Sequence, residues 1–185
     1  MKVLALLGSP RPRGNTATLM NNVLEALSQT ENTTITSYTL NDLEIKPCTA
    51  CDACLGKTDK FCIIDDDMEP LYPAFIEADL VVLASPIYWW SVSAQLKLFI
   101  DRLYGLNPEE NPQYFRDKKI ILVLTYEDED PNSGAELTIK MFKEICDYTE
   151  MSIVGVLRYC SGKRHVRECS EILKEARELV QQLNW

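Results

Sequence analysis

At 185 residues the chain fits one domain, long enough to bury a sheet between two helical layers without disulfide support. Lys+Arg 19 against Asp+Glu 28 leave a net charge of −9 spread along the sequence, with a pI near 4.7, which argues against nucleic acid and anionic membrane surfaces as partners and favours solubility. No run approaches the length of a membrane span and the opening apolar stretch is too short for a signal peptide, so the expected location is the cytoplasm, where seven cysteines point to metal or redox chemistry rather than disulfide staples.

Residues 2–7 form an apolar run, too short for a helix and rich enough in Leu and Val for a buried parallel strand. The run ends at Gly8. The next stretch, GSPRPRGNT, carries two prolines, two glycines and two arginines with no hydrophobic period, and a helical pattern follows over about residues 16–27 (Leu19, Met20, Val23, Leu24, Leu27). A loop joining the carboxyl end of a strand to the amino end of a helix offers unpaired N–H groups to an anion. Here Ser9, Asn15 and Thr16 add side-chain donors, and Arg11 and Arg13 add positive charge. The stretch reads as a phosphate cradle. It matches neither G-x-G-x-x-G nor G-x-x-x-x-G-K-[ST], and it lacks the cysteine that a low-molecular-weight phosphatase would place there.

Residues 34–40 alternate as a β-branched second strand, expected at a sheet edge. Residues 41–65 show neither period and hold Cys48, Cys51, Cys54 and Cys62; a loop this long is usually functional. Asp66-Asp67-Met68 is read as the cap of a helix running to Ala78. Residues 79–84 follow as a central strand, 85–91 as the loop leaving it, and 92–104 as an amphipathic helix closed by Asp101 and Arg102 on a charged solvent face. After a surface connection at 105–117 come a buried strand at 118–125, an acidic loop at 126–133 with Asp128 to Asp130 solvated, a helix at 134–148, a strand at 153–159 and a closing helix at 166–183. His165, the single histidine, falls in a basic surface turn beside Lys163 and Arg164. Cys146, Cys160 and Cys169 read as inert thiols on helix or strand segments. Five strands alternating with five helical stretches predict one α/β domain over residues 1–185: an open five-stranded parallel sheet with helices on both faces, and the cysteine-rich loop at about 45–65 as an insertion.

The cysteine spacing is C-x2-C-x2-C-x7-C. Three thiolates at successive threes wrap one small body, which suits three corners of a [4Fe–4S] cube with Cys62 as the fourth; zinc more often takes two separate C-x2-C knuckles. Zinc and free, redox-labile thiols are the other readings of these residues. In the loop at 85–91, Pro86 fixes the backbone while Tyr88, Trp89 and Trp90 offer aromatic surface with polar tips; for Trp90, covering the sheet edge is the equal alternative.

G-S-P-R-x-x-G-N-T after the first strand, with S-P-I-Y-W-W-S-V-S-A-Q-L-K-x-F-I-D-R at 85–102, resembles the NADPH-dependent FMN reductase group of flavodoxin-like proteins. The cysteine motif followed by Asp66-Asp67-Met68 resembles its iron–sulfur flavoprotein branch. The resemblance implies a doubly wound, three-layer flavodoxin-like fold with strand order 2-1-3-4-5, setting the loops after strands one and three side by side at the switch point. It implies FMN, held by Ser9, Arg11, Asn15, Thr16 and Ala17 at the phosphate, by Pro86, Ile87, Tyr88, Trp89 and Ser91 at the ring, and flanked by Thr125 and Tyr126. No side chain need act as acid or base, because flavin N5 carries the chemistry. It further implies a [4Fe–4S] cluster on Cys48, Cys51, Cys54 and Cys62, NAD(P)H as co-substrate, a quinone or a small-molecule or protein redox partner, and a homodimer or homotetramer. The chain departs from the family pattern at Ala50, where glycine is common, in the long x7 gap, and in Tyr126-Glu127-Asp128-Glu129-Asp130, where relatives often carry glycine. Two other functions fit: a cluster-free NAD(P)H-dependent FMN or quinone reductase, and a non-enzymatic flavin electron carrier or redox sensor.

Overall fold

The computed structural model describes residues 1–56 and 60–183. Its elements run β1 (Lys2–Leu7), α1 (Asn15–Ser28), β2 (Thr34–Thr39), α2 (Leu71–Glu77), β3 (Leu80–Tyr88), β4 (Ser91–Val92), α3 (Ala94–Arg102), β5 (Lys119–Tyr126), α4 (Ala135–Thr149), β6 (Ser152–Cys160) and α5 (Ser170–Gln182). The parallel strands stand in the order β2-β1-β3-β5-β6, with β2 at the edge and the two-residue β4 paired only to β3. Without β4 this is the expected 2-1-3-4-5 order of a flavodoxin-like, doubly wound sheet.

Successive residues of a strand point to opposite faces, so the continuous apolar runs of β1, β3 and β5 feed two cores at once. Leu4, Leu6, Val81, Leu83, Ile120 and Leu122 pack on one face beneath Leu71, Phe75, Leu96, Phe99 and Phe142 of α2, α3 and α4. Val3, Ala5, Leu7, Val82, Ile121 and Val123 pack on the other beneath Leu19, Val23, Leu27, Ile172 and Val180 of α1 and α5. Helices on both faces of one sheet make the three layers. Among the described residues no helix is long and apolar enough to cross a membrane.

Four local expectations need correction. Residues 85–88 do not leave the sheet: β3 continues against β5 to Pro86↔Thr125, then folds back on β4 through Ile87↔Val92 and Tyr88↔Ser91. Pro86 is tolerated there because β1 has ended at Leu7↔Ala84, so no strand on that side needs its missing N–H. The closing helix is split into a 3₁₀ turn (Val166–Glu168) and α5. Asp66 does not cap α2, whose N-terminal flank is Pro70. Arg102 is not on a solvent face: it is 2 % exposed and ion-paired with Asp66.

The switch point is fastened by serines. Ser93 caps α3 by accepting from Leu96 N at 3.3 Å and donates to Gly8 O at 2.6 Å, while its own N–H donates to Ser85 Oγ at 2.9 Å. Gly8 N–H donates to Ala84 O at 2.7 Å, and a Cβ on Gly8 would lie 2.8 Å from Ser93 Oγ and 2.9 Å from Leu96 Cβ. The first loop therefore seats directly on the start of α3. Ser93→Ala removes a cap and strands a buried carbonyl, so a loss of about 2 kcal/mol is expected in urea unfolding.

Candidate functional site

A cavity of about 360 Å³ opens at the carboxyl ends of the strands, lined by Ser9, Arg11, Gly14, Asn15, Thr16, Pro86, Ile87, Tyr88, Thr125, Tyr126, Glu127, Ser161 and His165. Its floor is polar and locked. Thr16 and Thr125 share a 2.6 Å hydroxyl–hydroxyl hydrogen bond that ties the start of α1 to the end of β5. Ser9 Oγ accepts from Arg11 N at 3.2 Å and keeps its own hydrogen for a ligand. Asn15 Oδ1 accepts from Val166 N at 2.9 Å, which fastens the turn after β6 to α1 and leaves the Asn15 amide NH₂ as a donor.

The amino end of α1 carries no side-chain cap and no acidic residue in its first turn. Its first N–H groups are thus left for an anion, with Arg11 as the cation of the lining. Above this floor Pro86, Ile87 and Tyr88 supply the apolar wall. Burial pushes the Tyr126 phenol up from its ordinary pKa, so it stays protonated and can donate. The cavity size and its apolar wall over a few converging polar groups suit an organic phosphate.

Of the predicted flavin residues, Ser9, Arg11, Asn15, Thr16, Pro86, Ile87, Tyr88, Thr125 and Tyr126 share this cavity, and Ala17, Trp89 and Ser91 stand outside its lining. Ala17 faces the core, Trp89 is 89 % exposed at the hairpin tip, and Ser91 lies in β4. Gly14 belongs to the stretch already read as a cradle, whereas Glu127, Ser161 and His165 are lining residues the sequence reading did not select. Ser161 and His165 follow β6, so their only signal was position at the carboxyl end of the strand beside β5. His165 caps a turn through Nδ1, which accepts from Arg167 N at 3.1 Å. The larger cavity, about 450 Å³, lies at the amino ends of β1, β3 and β5, around Ala78, Asp79 and Lys118. Lys118 Nζ there already donates to Ile76 O and Ala78 O, and open α/β sheets bind ligands at the other end.

Cys48, Cys51, Cys54 and Cys62 line a second, tight cavity of about 20 Å³ with Arg102, Tyr104 and Gly105, and all four are free thiols. The base of their loop is stitched by carboxylates: Asp67 accepts from Glu44 N at 2.7 Å, and Asp66 accepts from Lys46 N at 2.9 Å. The Ala53 amide and then the Thr49 hydroxyl hold Cys51 below the usual thiol range, whereas burial and then the neighbouring Cys62, Cys48 and Cys51 push Cys54 up. Among the described residues no set of three or more His, Cys, Asp or Glu side chains is already drawn into ligating position. The donor chemistry, four soft sulfurs around one small space, nevertheless fits an iron–sulfur cluster. Ala50 has φ +51, the left-handed region that glycine occupies without strain, which is the physical content of the departure noted there. Ala50→Gly is expected to raise stability by about 1 kcal/mol in thermal unfolding.

The profile of the NADPH-dependent FMN reductase family matches residues 1–156. An iron–sulfur flavoprotein of Methanocaldococcus jannaschii is 41% identical over 102 residues, 55% of this chain and 51% of that protein, so the chain spans about half its length. An iron–sulfur flavoprotein of Methanosarcina thermophila is 32% identical over 155 residues, covering 84% of this chain and 78% of that one. Among solved structures, an azoreductase from Bacillus anthracis superposes with a TM-score of 0.71 at 20% identity, over 99% of this chain and 100% of that one, which shows the shared fold. With the family profile spanning the sheet from β1 into β6, this chain belongs to the NADPH-dependent FMN reductase family.

Proposed function

We propose that this chain is an NAD(P)H-dependent FMN oxidoreductase, one flavodoxin-like domain over residues 1–185 whose cysteine-rich loop at about 45–65 holds a [4Fe–4S] cluster and passes electrons to a quinone or redox partner. One observation carries the flavin reading: the uncapped amino end of α1, Ser9 and Arg11 share a cavity with the apolar Pro86–Tyr88 wall. FMN, when bound, supplies the hydride and single-electron chemistry. The residues around it bind and orient. Ser9, Arg11, Asn15, Thr16 and the first amides of α1, Ala17 included, would take the phosphate; Pro86, Ile87, Tyr88, Thr125 and Tyr126 would hold the ring, with Trp89 and Ser91 acting from the hairpin beside it.

The cluster reading is supported by the names of the archaeal relatives and by four thiols lining one cavity, Cys48, Cys51, Cys54 and Cys62. A reductase without a cluster is the second reading, favoured by thiols not yet in ligating position. The family resemblance also supports a homodimer or homotetramer. Titration of apo-protein with FMN is expected to quench flavin fluorescence at one equivalent per chain, and anaerobic NADPH or NADH is expected to bleach the bound flavin. Flavin that stays free at high micromolar protein sinks the binding reading, and bound flavin that neither nucleotide bleaches reduces the protein to a carrier. Iron and acid-labile sulfide in anaerobically purified protein separate the cluster reading from the cluster-free one.

A further inference from the structure

The wall of the cysteine cavity contains a buried charge. Arg102 ends α3 with its side chain 1 % exposed, beside a carboxylate that is 1 % exposed. Nη1 donates to Asp66 Oδ2 at 2.6 Å and to Lys46 O at 2.9 Å, and Nη2 donates to Asp66 Oδ1 at 3.2 Å. Asp66 is saturated, because Lys46 N and Met68 N take its remaining acceptor positions. Arg102 is not: its Nε is buried with no hydrogen-bond partner among the described residues. A buried donor left unpaired costs about 1–3 kcal/mol. Arg102 lines the cavity with Cys48, Cys51, Cys54 and Cys62, whereas Asp66 does not, so the positive end of the pair is the end the thiols meet. The Tyr72 hydroxyl donates to Arg102 O at 3.0 Å and so fastens the end of α3 that carries this charge.

An Asp–Arg pair is a weak device for stability alone, since well-packed apolar residues usually serve as well. Its placement here has an electrostatic use. A four-thiolate cluster is anionic and gains one more negative charge on reduction, and in a low-dielectric wall a fixed cation weighs heavily on that step. We propose that Arg102, held in place by Asp66, is the built-in counter-charge of the cysteine site, its Nε–H the donor kept for a cysteine sulfur, and that it raises the site's reduction potential. The cluster would take up one electron, given up by the flavin that NAD(P)H reduces, with no bond made or broken and no proton moved at the cysteine site. The inference rests on the cluster reading of the cysteine loop.

The test uses full-length protein reconstituted anaerobically with ferrous iron and sulfide. Midpoint potentials would be compared for the unaltered protein, Arg102→Lys, the paired variant Asp66→Asn with Arg102→Met, and Arg116→Met as a control at an exposed cation paired with Glu150. Iron content is expected to be equal in all four. The paired variant is expected to shift the one-electron equilibrium at least tenfold against reduction, 59 mV or more downward. Arg102→Lys, which keeps the charge and loses the Nε donor, should shift it in the same direction by less, and it carries the test if the paired variant does not fold. Arg116→Met should not shift it. Unchanged potentials with iron retained overturn the role of Arg102 and leave the cluster standing. Unaltered protein that takes up no iron overturns the cluster reading and this inference with it.

Discussion

Asp66→Asn is expected to destabilise the protein by about 3–5 kcal/mol, the cost of leaving one member of a buried ion pair without its partner. The amide keeps the shape of the carboxylate and removes its charge, so the Arg102 guanidinium stays buried without a counter-charge, met only by Lys46 O and a single amide oxygen. The loss reaches the cysteine loop as well, because the same carboxylate accepts from Lys46 N and Met68 N and thereby closes the base of that loop. A pH series separates the charge from the packing. Burial would raise the Asp66 pKa, but the Arg102 hydrogen bond and the two backbone amides outweigh it and hold the group below its ordinary value. A depressed folded-state pKa means the contribution is fully present above the unfolded value, near 3.8, and is lost as pH falls through the folded one. Urea midpoints at pH 7 should therefore lie far apart for the two proteins and converge as pH drops below about 4, the unfolded carboxylate range. A gap at pH 7 under about 1 kcal/mol, the range of an exposed pair, would show that Asp66 and Arg102 are not a buried unit.

That pair also marks where the sequence was hard to read. The strands were legible because β1, β3 and β5 are apolar runs with no competing signal, and the loop after β1 because prolines and glycines interrupt both periods. Arg102 was legible in part: it follows Leu96 and Phe99 at helical spacing on the buried face of α3, a pattern that charge alone overrode in the reading. Nothing local tells that its partner sits 36 residues earlier, where Asp66 looks like a helix cap. The extension of β3 to Tyr88 was hidden for the same reason, since Pro86 ends a strand unless one of its two neighbours has already stopped. Ser161 and His165 reach the cavity only because β6 lies beside β5, a fact of strand order that residue type does not encode.

The turn between β3 and β4 leads to the second large effect. Trp89 and Trp90 have φ +49 and +61, so both central residues of this two-residue hairpin are left-handed, a geometry that normally selects Asn and Gly. Bulky residues there are strained, and the surroundings must hold them. Gly134 is one of the holds. It sits at φ +73 before α4, and a Cβ on it would lie 2.7 Å from Trp90 Cα and 3.0 Å from Ile87 Cγ2. Thr138 Oγ1, within reach of both Gly134 O at 3.0 Å and Trp90 O at 3.4 Å, joins the helix to the hairpin. Gly134→Ala must therefore strain its own backbone and drive α4 from the turn, a combined loss of about 2–4 kcal/mol. Because Ile87 and Tyr88 lead into this turn and line the cavity, FMN affinity should fall about tenfold, roughly 1.4 kcal/mol. Gly56→Ala is the control, since among the described residues a Cβ there meets only Ala53 O at 3.4 Å, and it should stay within about 0.5 kcal/mol. If Gly134→Ala unfolds and binds flavin like that control, the hairpin holds its left-handed tryptophans without α4, and the apolar wall of the cavity is fixed by the β3–β4 pairing alone.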